Sequence, residues 1–106
     1  MIHVVAIITA KPGMRAAMLE VANANIPAVR AEDGCIEYSL ATDAEGLGSF
    51  QTKFGPDSFV FIEKWRDAQA LKAHAAAPHM AAYAAKVKDL IGGRVIHVLA
   101  PADQGV

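Results

Sequence analysis

FVFIEKW, residues 59–65, is the stretch whose reading decides the fold. Side chains two apart on a strand share a face. Phe59, Phe61, Glu63 and Trp65 therefore fall on one side, and Val60, Ile62 and Lys64 on the other. Both sides are largely apolar, the pattern of a strand covered on two faces. IHVVAIIT (Ile2–Thr9) reads the same way, with Ile2, Val4, Ala6 and Ile8 alternating with Val5 and Ile7. Helices of the same chain can cover only one of these faces. The other needs a partner, because a large exposed apolar patch marks an interface. A second copy packed sheet against sheet is the economical solution.

Working outward from that strand, the order of elements is β-α-β-β-α-β. After the strand Ile2–Thr9, Lys11-Pro12-Gly13 breaks the chain. Met14, Ala17, Met18, Val21, Ala22 and Val29 then recur at helical spacing, with Asn25 in phase. Pro27 is expected to kink this helix or to end it near Asn25 to Ile26. Glu32-Asp33-Gly34 stops it, and Cys35–Thr42 forms a strand with Ile36, Tyr38 and Leu40 on one face. Residues 43–58 contain four Gly or Pro and form a long loop or irregular hairpin. Asp67 can N-cap a short helix running to His74 or Ala75. Pro78 suits the first turn of the next helix, which reaches about Ile91 and ends at Gly92-Gly93. Arg94–Leu99 is the last strand. The fold class expected is thus α+β and ferredoxin-like, a four-stranded antiparallel sheet in a dimeric α+β barrel. It forms a single domain over residues 1–100, with a C-terminal tail at 101–106.

Composition narrows the function. The chain has 106 residues, 54% of them apolar, and a net charge of −1. That suits one modest core. No basic stripe interleaved with aromatics is present, which argues against nucleic acid. No window nears the roughly 20 apolar residues of a membrane span. MIHVVAIITAKPG reads as a strand rather than a secretory leader. The single Cys35 cannot form an internal disulfide, which points to a reducing, cytoplasmic compartment, and it is expected to act as a small buried hydrophobe. There is no P-loop, dinucleotide fingerprint or nucleophile elbow, so no cofactor is announced.

The polar residues that stand out lie in EKWRDAQALKAHAAAPHM (Glu63–Met80). His74 and His79 are five apart with Pro78 between them, not the i, i+4 pair that places two imidazoles on one helix face over a metal. No metal site is expected. His74 follows Leu71 by three and Ala70 by four, so it points inward. Glu63 lies between Phe61 and Trp65 on a buried face and is costly there unless paired. His74 is its expected partner. A carboxylate and an imidazole in an aromatic-walled cleft make a general-base unit, since His titrates near pH ~6.5. His79, in phase with Tyr83, is expected to line the cleft, to sit at its mouth or to have only a plain surface role. His3, His97 and Tyr38 read as structural.

AEDGCIEY (Ala31–Tyr38), FIEKW (Phe61–Trp65), DAQALKAH (Asp67–His74) and PHM (Pro78–Met80) together resemble the antibiotic biosynthesis monooxygenase family, in particular its quinol monooxygenase branch. The resemblance runs from IHVVAIITAKPG to RVIHVL. It implies a homodimeric barrel that oxidises a small aromatic quinol or polyphenol with O2, using neither metal nor other cofactor. His74 would be the base, and Glu63 would orient it or bind a substrate hydroxyl. Trp65 and Phe61 would form the aromatic wall, with Tyr83, His79 and Asn25 also at the substrate. A haem-degrading branch carries an Asn on the first strand. IHVVAIIT has none, so haem degradation is disfavoured. The segment 43–58 is longer than the usual hairpin and could cap the cleft or reach across a dimer. Two other functions fit the same scaffold: a small-molecule isomerase that shuttles protons with the same pair, and a non-catalytic protein that holds a hydrophobic ligand.

Overall fold

Strand β1 (Ile2–Ala10) forms the middle of the sheet, paired antiparallel on one side with β3 (Ser58–Trp65) and on the other with β4 (Ile91–Leu99). β2 (Cys35–Ala41) pairs antiparallel with β3, giving the order β2-β3-β1-β4. The computed structural model describes residues 1–103, so the tail at 101–106 lies partly outside them. The architecture is the expected four-stranded ferredoxin-like α+β fold, with helices α1 (Arg15–Arg30), α2 (Ala68–Ala75) and α3 (Pro78–Val87). No described helix is long and apolar enough to cross a membrane.

The core lies between the helices and one face of the sheet. Val4, Ala6 and Ile8 of β1 join Phe59, Phe61 and Trp65 of β3 beneath Met18, Ala22, Ile26 and Val29 of α1. The opposite face carries Val5, Ile7, Ile62, Val95 and Leu99. There Ile62, Val95 and Leu99 are 39%, 53% and 46% exposed. The two-faced pattern of FVFIEKW is thus real; on the outer face Val60 is buried, while Ile62, Val95 and Leu99 stay open among the described residues.

Four local expectations are corrected. Pro27 neither ends nor interrupts α1, which continues to Arg30. Pro27 lies on the exposed side, as does Asn23, whose carbonyl loses its i+4 donor there; burial of Ile26 and Val29 keeps the last turn in place. Helix α3 ends at Val87, short of Ile91, and the chain turns through an N–H of Leu90 donated to the carbonyl of Val87 at 2.8 Å. Gly92 and Gly93 are not a helix stop but part of β4, where the register against Thr9 and Ala10 shifts. A Cβ on Gly92 would stand 3.3 Å from the Thr9 carbonyl oxygen, so the close approach favours glycine. Ile36 does not share a face with Tyr38. It is the extra residue at a register shift between Cys35 and Glu37, and it is exposed while Tyr38 is buried.

The last strand begins at Ile91, ahead of the expected Arg94. Asp67 caps α2 by accepting the N–H of Ala70 at 2.8 Å. The loop between β2 and β3 is pinned at its base by Asp43, whose carboxylate accepts the N–H groups of Phe54 and Gly55, both at 2.9 Å. Leu47, Phe50 and Phe54 of that loop are exposed.

Candidate active site

A cleft of about 870 Å³ opens between the sheet and helices α2 and α3. Val4, Ala6 and Ile8 form its floor, Phe61 and Tyr38 one wall, and Ile96 and Val98 of β4 its exposed side. Glu63 and His74 face this space and each residue is only 6% exposed, while the charged side chains of Lys88 and Arg94 also line it. Tyr83 also lines it.

Trp65 is fully buried and does not line the cleft. It stands behind the cleft instead. Its indole N–H donates to Oε1 of Glu63 at 2.9 Å, and its ring lies 4.6 Å from the His74 ring. The Tyr38 ring meets His74 edge-on at 5.6 Å and Phe61 at 5.3 Å. His79 and Asn25 face a separate groove of about 520 Å³ between α1 and α3, which Tyr83 also lines. Asn25 ties those helices by donating its amide N–H to Sδ of Met80 at 3.4 Å. The structure therefore gathers His74, Glu63, Phe61 and Tyr83 around one space and sets Trp65, His79 and Asn25 behind or beside it. His3 and His97 lie on the opposite sheet face, by their pairing with Lys64 and Val5.

The partner expected for His74 is corrected. Its Nδ1 lies 2.7 Å from Oε2 of Glu32, not against Glu63, whose hydrogen bond comes from Trp65. The same Glu32 oxygen lies 3.2 Å from Nε2 of His79. In the sequence Glu32 belongs only to a helix stop. Its approach to His74 depends on two long-range registers. Cys35 pairs with Trp65, and the N–H of Arg66 donates to the Gly34 carbonyl at 2.8 Å, which fixes the α1–β2 turn beside the start of α2. Ala70 packs on Gly34, whose φ is +86°, and His74 follows Ala70 by one helical turn. No local motif in AEDGCIEY announces this contact. The one signal is that the turn immediately precedes the strand that pairs with FIEKW.

Electrostatics distinguish the groups. Burial pushes the carboxyl of Glu63 above its ordinary 4.5; the Trp65 hydrogen bond and the nearby His74 pull it down by less, and Glu32 adds to the rise. Burial also raises the phenols of Tyr38 and Tyr83 and the thiol of Cys35, so these stay neutral near pH ~7. A thiol raised in this way is a poor nucleophile, and Cys35 packs against the core as a small hydrophobe. Among the described residues, no group of three or more His, Cys, Asp or Glu could hold a metal ion. An imidazole and a buried carboxyl with a raised pKa, beside a largely apolar space, can take a proton from a bound ring hydroxyl and bind the resulting anion's neighbouring hydroxyl.

The chain is similar to known proteins in family and in fold. The model of the antibiotic biosynthesis monooxygenase family matches residues 1–86. The chain is 38% identical over 103 residues to "Probable quinol monooxygenase YgiN" of Escherichia coli, covering 95% of this chain and 98% of that protein. Among solved structures, Rv0793 of Mycobacterium tuberculosis superposes with a TM-score of 0.79 at 32% identity, covering 99% of this chain and 98% of that one. PA3566 of Pseudomonas aeruginosa gives 0.79 at 28% identity, over 96% and 94%.

Proposed function

This chain belongs to the antibiotic biosynthesis monooxygenase family, and on that premise we propose that it oxidises a small aromatic quinol or polyphenol with O2, without a cofactor. The observation that carries the reading is the burial of His74 and Glu63 together on the wall of a largely apolar cleft that Phe61 and Tyr38 also line. Such a cleft receives a flat ring, and its few polar groups select the ring's hydroxyls. His74 removes a hydroxyl proton. Glu63, with Oε1 held by Trp65, offers its other oxygen to a second hydroxyl. The deprotonated ring is electron-rich enough to reduce O2 directly. One oxygen atom then joins a ring carbon and the other leaves as water, and the ring supplies all four electrons. No outside reductant enters the balance.

The exposed apolar sheet face supports a further part of the reading, a homodimer closed sheet against sheet. Relatedness to a protein named for quinol oxidation favours a quinol over other flat substrates.

The test is O2 uptake with a panel of quinols and naphthols, chelator present throughout. Wild type is expected to consume O2 with at least one of them. His74→Ala is expected to lower turnover by about 10²–10⁴-fold, the usual contribution of a positioned base, with little loss of thermal stability. Turnover without O2 consumption would indicate an isomerase instead. Tight binding with no turnover of any substrate would indicate a ligand carrier.

A further inference from the structure

We propose that Glu32 is the positioning residue of this site, holding Nδ1–H of His74 so that Nε2 keeps the lone pair that acts as base. The inference rests on His74 being the base, and it assigns a role to a side chain outside the cleft.

The contact is short and sheltered. Nδ1 of His74 stands 2.7 Å from Oε2 of Glu32, and the two side chains are 7% and 16% exposed. An ionised carboxylate can only accept, so the nitrogen facing it must carry the proton. In neutral His74 the lone pair is then at Nε2. Bonds to a charged acceptor are about twice as strong as neutral ones. The ring cannot easily turn away, since Trp65 lies against it at 4.6 Å and the Tyr38 ring meets it at 5.6 Å. When His74 takes a proton from substrate, the imidazolium sits beside the negative charge of Glu32 and is stabilised by it.

The other titratable groups around His74 do not serve this purpose. Glu63 of β3 accepts from Trp65. Tyr38 and Cys35 of β2, and Tyr83 of α3, stay neutral near pH ~7 because burial raises them. His79 of α3 approaches the same Glu32 oxygen at 3.2 Å, with neither ring nitrogen in a hydrogen bond. Among the described residues, Glu32 is thus the one carboxylate bonded to a His74 nitrogen, and His79 shares its charge.

Nitrogen-15 NMR of the imidazoles in the substrate-free protein tests this directly. In wild type, neutral His74 is expected as the Nδ1–H form. Glu32→Gln keeps an acceptor oxygen but removes the charge. The His74 titration midpoint should then fall by about one unit or more, the usual scale for losing an adjacent opposite charge. The acid limb of the kcat/KM profile should move to lower pH with it. Glu32→Asp should restore most of the midpoint. An unchanged His74 midpoint in Glu32→Gln, or a neutral His74 carrying its proton on Nε2 in wild type, would overturn the assignment. The NMR readout needs no substrate. If no quinol is turned over but the midpoint still moves, the quinol reading fails and the role of Glu32 stands.

Discussion

Glu63 and His74 are both buried, but burial acts on them differently. His74 has a carboxylate against one nitrogen, whereas Glu63 has only an indole N–H, and its carboxyl binds a proton more tightly folded than unfolded. The sign for stability follows from linkage. Below about pH 4 the carboxyl is protonated in both states and costs nothing. As pH rises through the unfolded value toward the raised folded one, the unfolded chain releases the proton first and stability falls. Glu63→Gln, which keeps an oxygen for Trp65 but cannot ionise, should therefore gain on wild type as pH rises. Thermal melts between about pH 4 and 7 should show the difference in Tm growing by a few degrees, and a pH-independent difference would mean that Glu63 ionises without penalty. At this scale the sequence identifies the unusual side chains but not their partners. Glu63 among aromatics and an inward His74 follow from periodicity. The pairing of His74 with Glu32, 42 residues away, does not.

Helices and strands were legible where a local signal and the core agree. Asp67 caps α2 and Pro78 starts α3, because each supplies or spares a backbone hydrogen bond at the first turn. Pro27, Gly92-Gly93 and Ile36 misled because their local preference met a tertiary constraint: burial of Ile26 and Val29, pairing with β1, and a shift of register against β3. Gly34 joins elements to site. Its positive φ disfavours any side chain, and a Cβ there would stand 2.6 Å from that of Ala70. Gly34→Ala should destabilise the protein by about 2 kcal/mol or more, the scale of a strained backbone with a clash added. It should also displace α2 and weaken the bond between Glu32 and His74. Chemical denaturation and the His74 NMR signals would report the two effects together, and a change within about 0.5 kcal/mol would show that α2 does not rest on this turn.

For the whole molecule, the outward sheet face is the main unsettled energy. Ile62, Val95 and Leu99 stand exposed beside Val5 and Ile7. If a second copy covers this face, wild type should sediment as a dimer at micromolar concentration. Ile62→Asp should raise the dissociation constant by about a hundredfold or more. Burying an unpaired carboxylate costs several kcal/mol, and each 1.4 kcal/mol is tenfold. A monodisperse wild-type monomer would contradict the arrangement.

By itself the sequence determined the fold class, the order of elements, the two-faced sheet and the inward direction of Glu63 and His74. These follow from periodicity and backbone chemistry, which act over a few residues. Only the tertiary structure decided that Trp65 stands behind the cleft, that His79 and Asn25 face another groove, and that Glu32 holds the imidazole. Those facts depend on strand register and on how closely α2 approaches the α1–β2 turn. They are set by packing between segments far apart in the chain, which no local pattern encodes.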